Sequence, residues 1–92
     1  MIRLNVSMIA ETSEKARKLV EAAVELVAFS LRDKGCISYD LYQSRTNDDR
    51  YMIVETWESA EDLKAHGETD HYKRLSPMLH ENADVTVEKF EF

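Results

Sequence analysis

Between Glu55 and Tyr72 the chain gathers a carboxylate, its only tryptophan, two of its three histidines and a tyrosine. They stand in Glu55-Thr56-Trp57-Glu58-Ser59, Leu63-Lys64-Ala65-His66 and Thr69-Asp70-His71-Tyr72. Histidine can take or give a proton near neutrality, because its ordinary pKa is about 6.5. A carboxylate that orients a histidine is a known acid–base device, and Glu55, on the same strand face as Trp57, is a candidate for that role or for a rim position. If the helices after Trp57 cover a sheet, then Trp57, His66, His71 and Tyr72 line a space between the two layers. Asn5 and Tyr39 could add to that space from other strands. Apolar walls with a few polar groups are the usual profile of a small-molecule site. The plain alternative makes Trp57 and Tyr72 core residues, His66 a helix-end residue and His71 a surface residue.

Other chemistries are poorly supported. His66, His71 and His80 are too irregularly spaced for one helical face, and the chain has no cysteine pair, HExxH sequence or EF-hand loop. A metal site is therefore not expected. Cys36 follows Gly35 at a strand start, where a small core residue fits better than a catalytic thiol. The chain has only two glycines, Gly35 and Gly67, so no glycine-rich phosphate loop is present. The net charge of −6 and the absence of a basic cluster argue against nucleic-acid binding.

The positioning elements follow from periodicity. Ile2, Leu4, Val6 and Met8 alternate with polar residues, which predicts a strand over 2–9. Thr12 or Ser13 can cap a helix whose apolar positions run from Ala16 to Leu31, with Gly35 placed as its C-terminal glycine. A second strand over 36–45 carries Ile37, Tyr39 and Leu41 on one face. The polar turn 46–50 then leads into a third strand over 51–57, making an antiparallel hairpin. Ser59-Ala60-Glu61-Asp62 resembles a capping box, and Gly67 can end the short helix it opens. Thr69 can cap a further helix, in which Pro77 is expected to break or kink the chain or to begin a new turn. Residues 84–92 alternate again, with a change of phase between Val87 and Phe90.

The order β-α-β-β-α-β predicts an α+β ferredoxin-like fold, with a four-stranded antiparallel sheet and helices on one face. Ninety-two residues suggest one domain spanning 1–92. Such a domain buries only about 60 to 65% of its unfolded surface, and oligomerisation is a common remedy. Strand three is apolar on both faces: Tyr51, Ile53 and Trp57 on one, Met52 and Val54 on the other. Tyr39 and Tyr42 divide strand two in the same way. A homodimer with sheets packed face to face is the expected solution. The lone cysteine fits a reducing compartment, no leader-like apolar region precedes Ile2, and no apolar run approaches 18 residues. A cytoplasmic protein that does not span a membrane is expected.

Gly35-Cys36-Ile37-Ser38-Tyr39, Ile53-Val54-Glu55-Thr56-Trp57-Glu58-Ser59 and the two histidine segments together resemble the antibiotic biosynthesis monooxygenase-like superfamily. The resemblance covers nearly the whole chain and implies a dimeric α+β barrel. Members include cofactor-free monooxygenases of quinols and polycyclic phenols, haem-degrading enzymes, an isomerase of autoinducer breakdown and proteins without known activity. The haem-degrading branch places a tryptophan where this chain has His66, and a ligating histidine near Ser76, so only Asn5 matches it. The Trp-Glu-Ser and Leu-x-Ala-His patterns are nearer to the quinol monooxygenase type. That type implies dioxygen as co-substrate and no cofactor. Its chemistry would make His66 the first candidate acid–base residue and His71 the second. Trp57, Tyr39 and Tyr72 would stack on an aromatic substrate, and Asn5 would hydrogen-bond a phenolic oxygen. An isomerase of a small oxygenated metabolite and a non-catalytic binding module are the alternatives.

Overall fold

The computed structural model describes residues 1–92. The elements are β1 (Ile2–Ile9), α1 (Ser13–Ser30), β2 (Cys36–Gln43), β3 (Arg50–Trp57), α2 (Ala60–Gly67), α3 (Asp70–Asn82) and β4 (Asp84–Glu91). The strands form one sheet in the order β2-β3-β1-β4, and every neighbouring pair is antiparallel. This is the ferredoxin-like α+β arrangement, with two helices in the second crossover. No helix is long and apolar enough to cross a membrane.

Strand alternation assigns the faces. Ile2, Leu4, Val6 and Met8 stand opposite Trp57, Glu55, Ile53 and Tyr51, and all eight point toward the helices. Ile2, Met8, Ile53 and Trp57 are buried there with Leu19, Ala23 and Leu26 of α1 and Leu75 and Leu79 of α3. Leu4 and Val6 are only half-buried. No side chain fills the space above them, and that space is the cavity described below.

Each helix start follows its predicted cap. Thr12 Oγ1 accepts the Lys15 amide at 3.1 Å, Ser59 Oγ accepts the Asp62 amide at 3.1 Å, and Thr69 Oγ1 accepts the Tyr72 amide at 3.3 Å. Thr69 also donates its hydroxyl to the His66 carbonyl at 2.7 Å. One side chain thus opens α3 and satisfies a carbonyl at the end of α2. It fixes His66 relative to His71 and Tyr72.

Several expectations need correction. Helix α1 stops at Ser30, and residues 31–35 form turns instead of a last helical stretch. Gly35 has φ +78°, so it uses glycine's freedom at the end of that turn, not directly after the helix. A Cβ at Gly35 would lie 2.1 Å from Asp62 Oδ2, so the turn packs closely against the start of α2. Strand β2 ends at Gln43. A β-bulge between Cys36 and Ser38 puts Cys36 opposite Trp57, and leaves Ile37 exposed, out of phase with the buried Tyr39. Pro77 does not break α3, which runs unbroken to Asn82. Strand β4 pairs with β1 in continuous register, so no phase change occurs. Phe90 falls on the uncovered face opposite Arg3. That face is less uniformly apolar than expected, because β1 contributes Arg3, Asn5 and Ser7 to it beside Met52 and Val54.

Candidate active site

A cavity of about 270 Å³ lies between the sheet and the helices. Leu4, Val6 and Ile53 form its floor, Leu63 and Leu79 its apolar walls, and Tyr39, Glu55, His66, Tyr72 and Ser76 bring the polar atoms. The exposed residues His80 and Val87 mark its open side. A wider groove of about 570 Å³ lies between the α1 N-terminus and the β2–β3 turn. Its charged lining, including Glu11, Arg17, Glu21, Asp48 and Asp49, is exposed to water, and no buried unpartnered polar atom faces it. The smaller cavity is the better site for chemistry.

His66 defines it. The side chain is 2% exposed and sits on the last turn of α2. Its Nδ1 lies 2.8 Å from Asp33 Oδ2, and the same oxygen lies 2.8 Å from His71 Nε2. A carboxylate only accepts hydrogen bonds, so both imidazoles donate to it. His66 therefore carries its hydrogen on Nδ1, and Nε2 keeps a lone pair. That Nε2 is buried and has no hydrogen-bond partner. Burial pushes the His66 pKa below its ordinary value, although the Asp33 hydrogen bond and charge act the other way. The neutral form, which can accept a proton, is favoured.

Aromatic rings hold this imidazole. The centroids of Trp57, Tyr72 and Tyr39 lie 4.6, 5.0 and 5.6 Å from that of His66. Phe29 stacks on His71 at 5.4 Å and 13°. Tyr39 is buried, and its hydroxyl pKa is raised by desolvation and by the neighbouring Glu55.

Glu55 is 3% exposed, and its Oε1 accepts the Trp57 Nε1 hydrogen at 2.9 Å. Burial pushes its pKa up to about 7, and the donors Trp57 and Tyr39 limit the rise. Glu55 thus pairs with the indole, and the carboxylate that orients a histidine is Asp33.

The sequence-named residues divide. Tyr39, Glu55, His66 and Tyr72 meet at the cavity. Trp57 is fully buried behind His66, where it positions the imidazole and Glu55 and presents no face to the cavity. His71 lies at the outer side of the Asp33 pair and does not line the cavity. Asn5 alternates with Leu4 and Val6, so it points to the uncovered sheet face, away from a substrate in the cavity. Asp33 and Ser76 were missed. Ser76 was signalled by its spacing of four from Tyr72. Asp33 carried no signal, because it stands in a turn 33 residues before His66.

The family model for antibiotic biosynthesis monooxygenases matches residues 1–77. The chain belongs to this family. A solved protein of Bacteroides thetaiotaomicron, described as of unknown function and a possible oxidoreductase, is 45% identical. It covers 99% of this chain and 96% of its own, with a TM-score of 0.95. YcnE of Bacillus subtilis (strain 168) is 28% identical over 60 residues. Those residues are 65% of this chain and 63% of that relative, so the match spans less than two thirds of the curated relative's length. A point mutant of SnoaB, a cofactor-independent oxygenase from Streptomyces nogalater, superposes with a TM-score of 0.87. It covers 99% of this chain and 91% of its own at 13% identity, and so shares the family's fold.

Proposed function

We propose that the protein is a cofactor-free monooxygenase that oxidises a small quinol with dioxygen, and that His66 is the base. The observation that supports this most strongly is the unpartnered, buried Nε2 of His66 at an apolar cavity, with its tautomer set by Asp33. A phenolic hydroxyl docked there hydrogen-bonds to Nε2 and gives up its proton. The resulting phenolate is the electron donor, so the substrate itself reduces dioxygen. One electron passes to O₂, and the substrate radical and superoxide join at a ring carbon as a peroxide. Loss of water leaves the new oxygen on the ring. One quinol and one dioxygen give one hydroxyquinone and one water. The apolar walls keep bulk water from the peroxide, and Tyr39 and Tyr72 hold the ring in place. A cavity of about 270 Å³ suits one or two fused rings better than a larger polycyclic phenol.

Oxygen uptake by chelator-treated protein with a panel of benzoquinols and naphthoquinols tests this reading. Saturable uptake, with one dioxygen consumed per quinol and no peroxide released, is expected. A panel that shows only the uncatalysed rate, together with quinol binding that quenches Trp57 fluorescence, would instead favour the binding-module alternative. Rearrangement of a metabolite without oxygen would favour the isomerase.

The protein is further proposed to act as a cytoplasmic homodimer joined through the uncovered sheet face. Tyr42 and Phe90 are exposed at 55% and 46%, and Met52 and Val54 lie between them. Asn5 Oδ1 is buried on this face without a partner, so a second copy could supply its donor. Sedimentation at micromolar concentration should give twice the chain mass, and Tyr42→Lys should shift it to the monomer. A wild-type monomer would refute the dimer.

A further inference from the structure

Asp33, His66 and His71 come from three elements: the α1–β2 turn, the end of α2 and the start of α3. Their ligand atoms, one carboxylate oxygen and two imidazole nitrogens, all lie within 4.8 Å of one another. As part of an acid–base device this group only orients His66. Two histidines and one aspartate are also a donor set for a divalent transition metal. Nitrogen donors disfavour magnesium and calcium, and the lack of thiolates disfavours the softest ions.

We propose that the Asp33–His66–His71 group is a zinc-class metal site, and that filling it switches off the base in the cavity. In a tetrahedral site with bonds of about 2.0–2.1 Å, donor atoms stand about 3.3–3.4 Å apart. Asp33 Oδ2 now lies 2.8 Å from each nitrogen, and the two nitrogens stand within 4.8 Å of each other, so the carboxylate moves outward and the imidazoles draw together to reach that spacing. Asp33 belongs to a turn and not to a helix or strand. His71 stacks on Phe29, and Trp57 and Tyr72 flank His66. Side-chain exposures of 14% for Asp33 and 15% for His71 leave an entry from solvent. The three residues leave the fourth position to water.

The consequence for His66 follows from its two nitrogens. The metal takes the Nδ1 lone pair; the proton there is released as Nε2 takes one up from solvent, so the ring stays neutral. Neutral imidazole retains one ring hydrogen, which must then stand on Nε2. The cavity nitrogen changes from acceptor to donor and no longer takes a phenolic proton. The metal site rests on geometry alone, whereas the inhibition rests on the monooxygenase reading.

The test is titration of the full chain with Co²⁺, followed by its visible absorption and by competition with Zn²⁺. Saturable bands at one Co²⁺ per chain are expected, displaced by Zn²⁺ and weakened at least tenfold in His71→Ala and in Asp33→Asn. Circular dichroism of both variants shows whether they are folded. Nitrogen NMR of the His66 ring should report the hydrogen moving from Nδ1 to Nε2 when Zn²⁺ is added. No saturable bands, or bands equally strong in folded His71→Ala, would overturn the site. Neither outcome bears on whether the metal-free protein oxidises quinols. If metal binds and quinol oxidation continues unchanged, the switch is refuted while the site stands.

Discussion

His66→Gln is expected to lower quinol turnover by about 10²–10⁴-fold, the usual contribution of a positioned general base. Glutamine can still donate a hydrogen bond to Asp33 and fill most of the imidazole's volume. It has no lone pair of comparable basicity to offer the cavity. The loss should therefore appear in kcat, with substrate binding by Trp57 fluorescence little changed. The pH profile supplies a second reading. The wild-type rate should rise with pH through a pKa below the ordinary 6.5, because burial favours the neutral imidazole. The residual rate of His66→Gln should lack that limb. Asp33→Asn should also reduce turnover, since an amide can donate to Nδ1 and push the hydrogen onto Nε2. Full turnover in His66→Gln would remove this residue from the mechanism.

Glu55 carries the second large effect, on stability. Its pKa is about 4.5 in the unfolded chain and about 7 when buried. A carboxyl group with a raised folded pKa holds its proton more tightly in the folded state. Its favourable contribution is complete below pH 4.5 and is lost as pH rises through 7. A shift of this size corresponds to a loss of on the order of 3 kcal/mol across that window. That is a large share of the roughly 5–15 kcal/mol typical of folded domains. Glu55→Gln keeps an acceptor for the Trp57 indole and never ionises. Urea unfolding at pH 5 and pH 8 should show the wild type losing stability relative to the variant, by this amount, on going to pH 8. His66 acts in the opposite sense below pH 6.5, since its lowered pKa costs stability as it protonates. It does so in both proteins, and the comparison cancels it. Parallel pH dependence in the two proteins would show that Glu55 is not held neutral.

The frame of the molecule was legible in the sequence because it rests on local rules. Alternation found all four strands, and Thr12, Ser59 and Thr69 announced the three helix starts. The errors came where a local pattern had two readings. Ile37 shares the parity of Tyr39, and only the bulge opposite Trp57 removes it from the buried face. Asn5 differs: it alternates with Leu4 and Val6, so the strand pattern already set it on the face away from them, against its candidate place at the cavity. At the site, His66, Tyr39, Tyr72 and Glu55 were recognisable as types in need of a setting. Asp33 was not, because a turn aspartate is ordinary until the fold brings it to two histidines. For the same reason the histidine spacing did not show that His66 and His71 meet. Spacing along one helix is the wrong measure for a cluster assembled from two helices and a turn.

Leu4 and Val6 stay half-buried in the middle of the central strand because about 270 Å³ above them is left open. In a domain of this size that space is core the chain forgoes. A larger side chain at Val6 or Ser76 would improve packing and exclude the substrate in the same step. On the proposed function, durability and catalysis compete for a single volume, and a more robust version of this fold would be a less useful one.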